Sequence, residues 1–279
     1  MVRLIVPLLF LVTLTALVKV LKRRSGKAGE PSWLPKTTAD ALMQLSLFVF
    51  ADLLYETVRG VAENDPAAAF EHARTLVAIE QSTGLFFEQG LQAWAMGHRF
   101  LIDVTNFIYV NSQFVVTTSV LVWLYLRHND RFYFVRNMFM FSMGLALIGY
   151  LLFPTAPPRF FSELGFIDTI AYYVDVQHDS GLVTLFFNPY AAVPSMHVAF
   201  SLMVGIPAAM VVRRRWAKVL WCCYPLLITF VVVVTGNHWI VDAMLGALVA
   251  GLAAFGARAL SRAWPEAWSW SPRTAEATA

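Results

Sequence analysis

Charge is scarce in this chain. Of its 279 residues only 14% are Asp, Glu, Lys or Arg, against about 25% in a soluble globular domain. The net charge of +3 is too small for a protein that grips nucleic acid by neutralising phosphates, so no nucleic-acid partner is expected. Cysteine is nearly missing. Cys222 and Cys223 are adjacent and sit in an apolar run, which excludes a disulfide scaffold. Internal repeats, low-complexity segments and soluble linkers are lacking as well. What the chain does hold is hydrophobic residues, 58% of the total, with a mean hydropathy of +0.60. A water-soluble globule and a disordered chain are both ruled out. The composition implies an all-α polytopic bundle whose solvent is the lipid bilayer.

A helix needs about 20 mostly apolar residues to cross the hydrocarbon core. Seven stretches qualify: Leu4–Leu21, Ala41–Val61, Leu101–Leu126, Asn137–Phe153, Pro194–Val212, Ala217–Gly236 and Trp239–Ala257. The first lacks a small-x-small cleavage site and has Lys19, Lys22, Arg23 and Arg24 after it rather than before it. It reads as an uncleaved anchor rather than a signal peptide. Sixteen of the 21 basic residues fall on one side of this arrangement and five on the other. The positive-inside bias places the N-terminus outside and the C-terminus in the cytoplasm. In a bacterial host the membrane is the plasma membrane. The organisation expected is an anchor with a basic cytoplasmic loop over 1–39, a membrane domain over 40–257 and a cytoplasmic tail over 258–279.

Two long connections lie on the outer side. The first starts at Asp65-Pro66, an N-cap followed by a proline at the first helical position. It predicts a helix to about Ser82, a break at Gly84 and an interfacial apolar face of Phe70, Ala73, Val77 and Ile79. Its polar residues Glu71, His72, Arg74, Glu80 and Glu88 read as a solvated face, with headgroup recognition by Glu80 and Glu88 the alternative. The second connection, 154–192, is rich in proline and aromatics, which suits the headgroup level. Asn106, Asn111 and Gln113 in the third span read as interhelical hydrogen bonds.

Three polar clusters converge on the outer face by parity of the spans: Pro154-Thr155-Ala156-Pro157-Pro158-Arg159, Pro194-Ser195-Met196-His197 and Gly236-Asn237-His238-Trp239-Ile240-Val241-Asp242. Ionisable groups at membrane depth are costly and usually face a cavity or partner. His238 and Asp242 are four apart and share a helix face. A carboxylate on one imidazole nitrogen fixes the tautomer and leaves the other with a lone pair, making His238 a candidate nucleophile. Pro194 at a helix start exposes the amides of Ser195, Met196 and His197 to an anion. Arg159 offers a bidentate phosphate grip, and His197 a proton for the leaving oxygen. Each piece alone has a plainer reading: a structural hydrogen bond, a helix start, a snorkelling arginine. Together they describe phosphoryl transfer. A metal centre is the lesser alternative, because His197, His238 and Asp242 have no fourth ligand beside them.

These ordered motifs resemble the type 2 phosphatidic acid phosphatase (PAP2) superfamily over roughly residues 40–257. Within it the chain is similar to the branch holding the fungal inositol phosphorylceramide synthases and their bacterial relatives. The resemblance implies a six-helix core, transient phosphorylation of His238, orientation by Asp242, protonation of the leaving group by His197, and no metal or other cofactor. It also marks departures. The Lys-x6-Arg-Pro signature is missing, Met196 replaces a glycine, and Val231 and Val232 stand where a Ser-Arg pair is usual. Substrate phosphate is then expected to rest on Arg159, Ser195, Asn237 and Arg59, with a contribution from Thr235. The function implied is that of a membrane-integral lipid phosphatase or phosphotransferase acting on a phospholipid or polyprenyl phosphate. The acceptor is water or an alcohol such as inositol. A non-catalytic lipid-binding or transport protein is the competing class.

Overall fold

Proline and glycine set many of the helix limits. The computed structural model describes residues 38–61, 66–174 and 190–264. The anchor Leu4–Leu21, the tail beyond 264 and most of the aromatic connection lie outside those residues. Helix α1 covers Thr38–Val61 and α2 Pro66–Thr83. Pro66 opens α2, as its fixed φ and missing N–H suit a first helical position. Gly84, at φ +71°, closes it in the left-handed conformation that glycine takes without steric cost. Helix α3 (Glu88–Met96) follows, then α4 (Arg99–Arg127) and α5 (Asn129–Leu152). Two short 3-10 turns, Pro158–Phe160 and Ser162–Leu164, lead to the single-turn-and-a-half α6 (Thr169–Val174). The last three helices are α7 (Met196–Val211), α8 (Arg215–Val234) and α9 (Ile240–Ala263). Among the described residues there is no strand, only an isolated bridge between Thr155 and Ala191.

Among the described residues four helices, α4, α5, α8 and α9, are long and apolar enough to cross a membrane. The Ala41–Tyr55 part of α1 and the whole of α7 are shorter apolar stretches. These six correspond to the six expected spans of the membrane domain. Two boundaries move: the seventh span's helix runs on to Ala263 rather than Ala257, and the fourth span starts at Asn129 rather than Asn137. Arg136, counted from sequence as a loop charge, is therefore inside α5, 1% exposed, donating to Asn137 Oδ1 and Gln44 Oε1.

Helix α7 is the central element and packs on α4, α5, α8 and α9, while α5 also holds α1, α4 and α9. Lipid tails are as apolar as leucine, so association in a bilayer relies on close packing. The contact faces are accordingly small: Ala199 and Ala208 of α7, and Ala250, Ala253 and Ala257 of α9, are all buried. Gly205 lets α7 meet α8 backbone to backbone. A Cβ there would lie 2.8 Å from the Trp221 carbonyl oxygen.

Helix α2 covers one end of the bundle. Ala69, Ala73, Leu76 and Val77 pack on Ala156, Phe161, Phe166, Val193 and Trp239. The predicted helix limits and most of its apolar face hold, but Ile79 is 44% exposed. The polar face divides. Glu71 and Arg74 are exposed and paired with each other. His72 stacks on Phe153 and bonds the Pro154 carbonyl through Nδ1 at 2.7 Å. Glu80 and Glu88 are fully buried, contrary to the solvated-face reading. Asn106 exchanges two hydrogen bonds with Thr169, tying α4 to α6. Asn111 instead bonds the Phe107 carbonyl of its own helix, and Gln113 Oε1 has no partner.

Candidate active site

Helix α8 ends in a left-handed cap. Gly236 takes φ +68°, and the amides of Asn237 and His238 both return to the Val232 carbonyl. This turn aims His238 away from α8 just before α9 begins. The Arg159 amide donates to the Gly236 carbonyl at 2.8 Å, which fastens the first motif to the third. Trp239 is 0% exposed. Its Nε1 donates to the Ala156 carbonyl at 3.0 Å, and its ring meets Phe161 and Phe166 edge-on at 5.5 Å. The second motif is held just as closely. The Ser195 amide donates to the Asp242 carbonyl at 3.1 Å, and Tyr150 Oη donates to the Pro194 carbonyl at 3.2 Å. Tyr55 Oη reaches Tyr150 Oη at 3.2 Å. Gly246 makes the approach of α9 to this turn feasible, since a Cβ there would fall 2.2 Å from the Ser195 carbonyl oxygen.

The three motifs thus meet at one end of the bundle. The rings of His197 and His238 meet edge to face, with centroids 5.6 Å apart and planes at 61°. His238 Nδ1 lies 3.3 Å from Asp242 Oδ1, and Asp242 Oδ2 accepts from the Trp239 amide at 3.0 Å. The Nδ1–Oδ1 contact is close but not aligned as a hydrogen bond, a looseness common in catalytic pairs before substrate binds. Burial pushes the His238 imidazole down from 6.5 to about 3, the Arg159 guanidinium adds to this, and a backbone bond with Ala192 opposes it. At neutral pH the ring is uncharged and keeps a lone pair. His197 is stacked on Tyr109, centroids 4.5 Å apart and 19° from parallel.

Arg159 is not a snorkelling arginine. Its side chain is 8% exposed, its Nε lies 3.6 Å from Asp168 Oδ2, and its Nη1 donates to Asn237 Oδ1. Asp168 also accepts from the amides of Ile170 and Ala171 through Oδ1, capping α6. Ser195 Oγ is buried without a hydrogen-bond partner, while the Ser195 amide, expected to be open to an anion, is taken by Asp242. Thr235 Oγ1 donates to the Val231 carbonyl and accepts from Asn237 Nδ2 at 2.8 Å, so it orients Asn237. Val231 and Val232 are 0% exposed, which leaves the place of the usual Ser-Arg pair in the apolar core. Arg59 belongs to the last turn of α1, and its side chain lies outside the described residues.

A neutral imidazole with a second imidazole beside it, a guanidinium and a buried hydroxyl without a partner are the residue types that phosphoryl transfer uses. The family model of the PAP2 superfamily matches residues 74–256, well over half of the chain. The chain belongs to the PAP2 superfamily. Neither a comparison with curated proteins nor one with solved structures finds a match. PAP2 members are in general phosphoric ester hydrolases that act on phosphorylated lipids, and the PAP2 match runs from α2 to α9, covering all three motifs. Sequence reasoning missed Asp168, Tyr109 and the burial of Glu80 and Glu88. Asp168-Thr169 ahead of a short helix was the one available cue, a capping pair.

Proposed function

We propose that this PAP2 protein moves the phosphoryl group of a phosphorylated lipid through a phosphohistidine at His238. The lone pair of His238 attacks phosphorus and an N–P bond forms. The P–O bond to the lipid breaks, and the departing alkoxide takes a proton from His197. An incoming hydroxyl then gives its proton to His197 and attacks phosphorus. The N–P bond breaks and both histidines return to their starting states. Asp242 holds His238 in the reactive tautomer, and Arg159, steadied by Asp168 and Asn237, carries phosphate charge with Ser195 Oγ. The catalytic power is positioning plus electrostatic stabilisation. The observation that carries this reading is the adjacency of the His197 and His238 rings, centroids 5.6 Å apart, with Asp242 Oδ1 3.3 Å from the Nδ1 of the latter.

The phosphate ligands differ from those of the lipid phosphatases by the valines at 231 and 232. This supports transfer to an alcohol such as inositol, the chemistry of the inositol phosphorylceramide synthase-like branch, beside hydrolysis. The donor class is a phospholipid or polyprenyl phosphate. The basic-residue asymmetry supports a site at the outer leaflet with the C-terminus in the cytoplasm. The test is a donor and acceptor screen on purified protein in detergent, with products read by mass and the acid-labile phosphoenzyme trapped during turnover. Full activity in His238→Ala, or turnover without a phosphohistidine, refutes the reading.

A further inference from the structure

The first turn of a helix has amides that no intrahelical carbonyl reaches. At the start of α9 three of them are taken by three carboxylates. The Trp239 amide donates to Asp242 Oδ2 at 3.0 Å, the Ile240 amide to Glu88 Oε1 at 2.9 Å and the Val241 amide to Glu80 Oε1 at 2.9 Å. Glu80 comes from the end of α2 and Glu88 from the start of α3. All three side chains are 0% exposed. Their other oxygens, Glu80 Oε2, Glu88 Oε2 and Asp242 Oδ1, are buried. A helix N-terminus offers only about half a positive charge, and like carboxylates in one buried site do not all ionise. At least one proton must therefore stay in the cluster.

We propose that Glu80 and Glu88 are positioning residues for the His238–Asp242 couple: they seat the first turn of α9 and share one proton, so that Asp242 is left to face His238 as an anion. The role rests on the reading of His238 as nucleophile. It follows from the chain of contacts. Glu80 and Glu88 fix Ile240 and Val241, which flank Trp239 and Asp242, and these fix His238. Were the proton on Asp242 instead, its carboxyl would no longer hold the imidazole as an anion does. In this proposal the proton sits on Glu80. Burial, then a hydrogen bond with Glu88, pushes it up to about 9, the Val241 amide opposes, and the charges of Glu88 and Asp242 add. Glu88 from α3 and Asp242 from α9 are the ionisable groups that act on it. His238 and Arg159 lie beyond Asp242, and Glu71 and Arg74 of its own helix are exposed to water.

Two readouts test this. Glu80→Ala should lower kcat about tenfold to a hundredfold, the loss expected when a buried amide is left without its partner, with KM little changed. Glu80→Gln, which keeps an oxygen for Val241 and an N–H for Glu88, should restore most of it. The second readout needs no substrate. A folded carboxyl raised from 4.5 to about 9 binds a proton that the unfolded chain releases, so stability falls as pH rises between those values. The melting temperature of the wild type should fall relative to that of Glu80→Gln across this window. Parallel melting curves, or wild-type kcat in Glu80→Ala, overturn the proposal while His238-dependent turnover stands. Turnover that survives His238→Ala overturns the nucleophile reading and the positioning role with it. Should Glu80→Ala fail to fold, the melting comparison with Glu80→Gln decides alone.

Discussion

Asp242→Asn separates the two duties of the carboxylate. One oxygen, Oδ2, caps the Trp239 amide at 3.0 Å, and the other, Oδ1, stands 3.3 Å from His238 Nδ1. The amide substitute keeps an oxygen for Trp239 and so keeps the cap. It places an N–H donor against Nδ1, which must then become an acceptor, and the imidazole proton moves to the nitrogen that should attack phosphorus. Loss of a charge-assisted hydrogen bond alone costs about 1.5–3 kcal/mol, or roughly tenfold to 150-fold in rate. The wrong tautomer raises the loss toward about 10⁴-fold, the scale seen when the orienting carboxylate of a Ser-His-Asp triad becomes an amide. Asp242→Ala removes the cap too and should cost about 1 kcal/mol of stability as well. The assay is phosphate release from a lipid phosphate in detergent, with trapped phosphohistidine measured in parallel and melting temperature as the folding control. Turnover of Asp242→Asn within threefold of wild type would refute the tautomer argument.

Gly246→Ala should destabilise by about 1–3 kcal/mol, because its Cβ would fall 2.2 Å from the Ser195 carbonyl oxygen. Gly251→Ala, on the same helix with nothing within 4 Å, should be neutral or stabilise by up to about 1 kcal/mol, and paired thermal melts check the contrast. His197→Ala should lose about 10²–10⁴ in kcat on a lipid phosphate but far less in the first, phosphorylating step with a nitrophenyl ester, whose leaving group needs no proton; equal losses on both would remove His197 from leaving-group protonation. The unfolded chain takes a proton on residue 238 near 6.5, whereas the folded imidazole resists until about 3. Stability conferred by the neutral ring is therefore lost as pH falls through that window, and the wild type should lose melting temperature faster than His238→Asn below pH 6.5.

The membrane helices and the meeting of the three motifs were legible in the sequence because both follow from simple periodic facts. Twenty apolar residues span a bilayer, and alternate connections share a side. The charged cluster behind the site was not. Glu80 and Glu88 lie 161 and 152 residues from the amides they cap. On α2, Glu80 stands seven residues after Ala73 and three after Val77, on the buried face and opposite Glu71, a cue in the helical spacing that the solvated-face reading passed over. Arg136 was misplaced for a related reason. A guanidinium normally ends an apolar run, but here Gln44 and Asn137 satisfy it within α5. The open amide foreseen at Ser195 was lost to Asp242, a contact that exists only because Gly246 brings α9 against the turn.

The roof formed by α2 and α3 meets the turn around Trp239 through two carboxylate oxygens and an apolar patch of Ala69, Ala73, Leu76 and Val77, whereas His197 sits on α7 and His238 between α8 and α9. The cover and the two imidazoles are thereby supplied by different stretches of polypeptide. A change in that cover which kept the two acceptors would leave the first turn of α9, and the imidazole before it, in place.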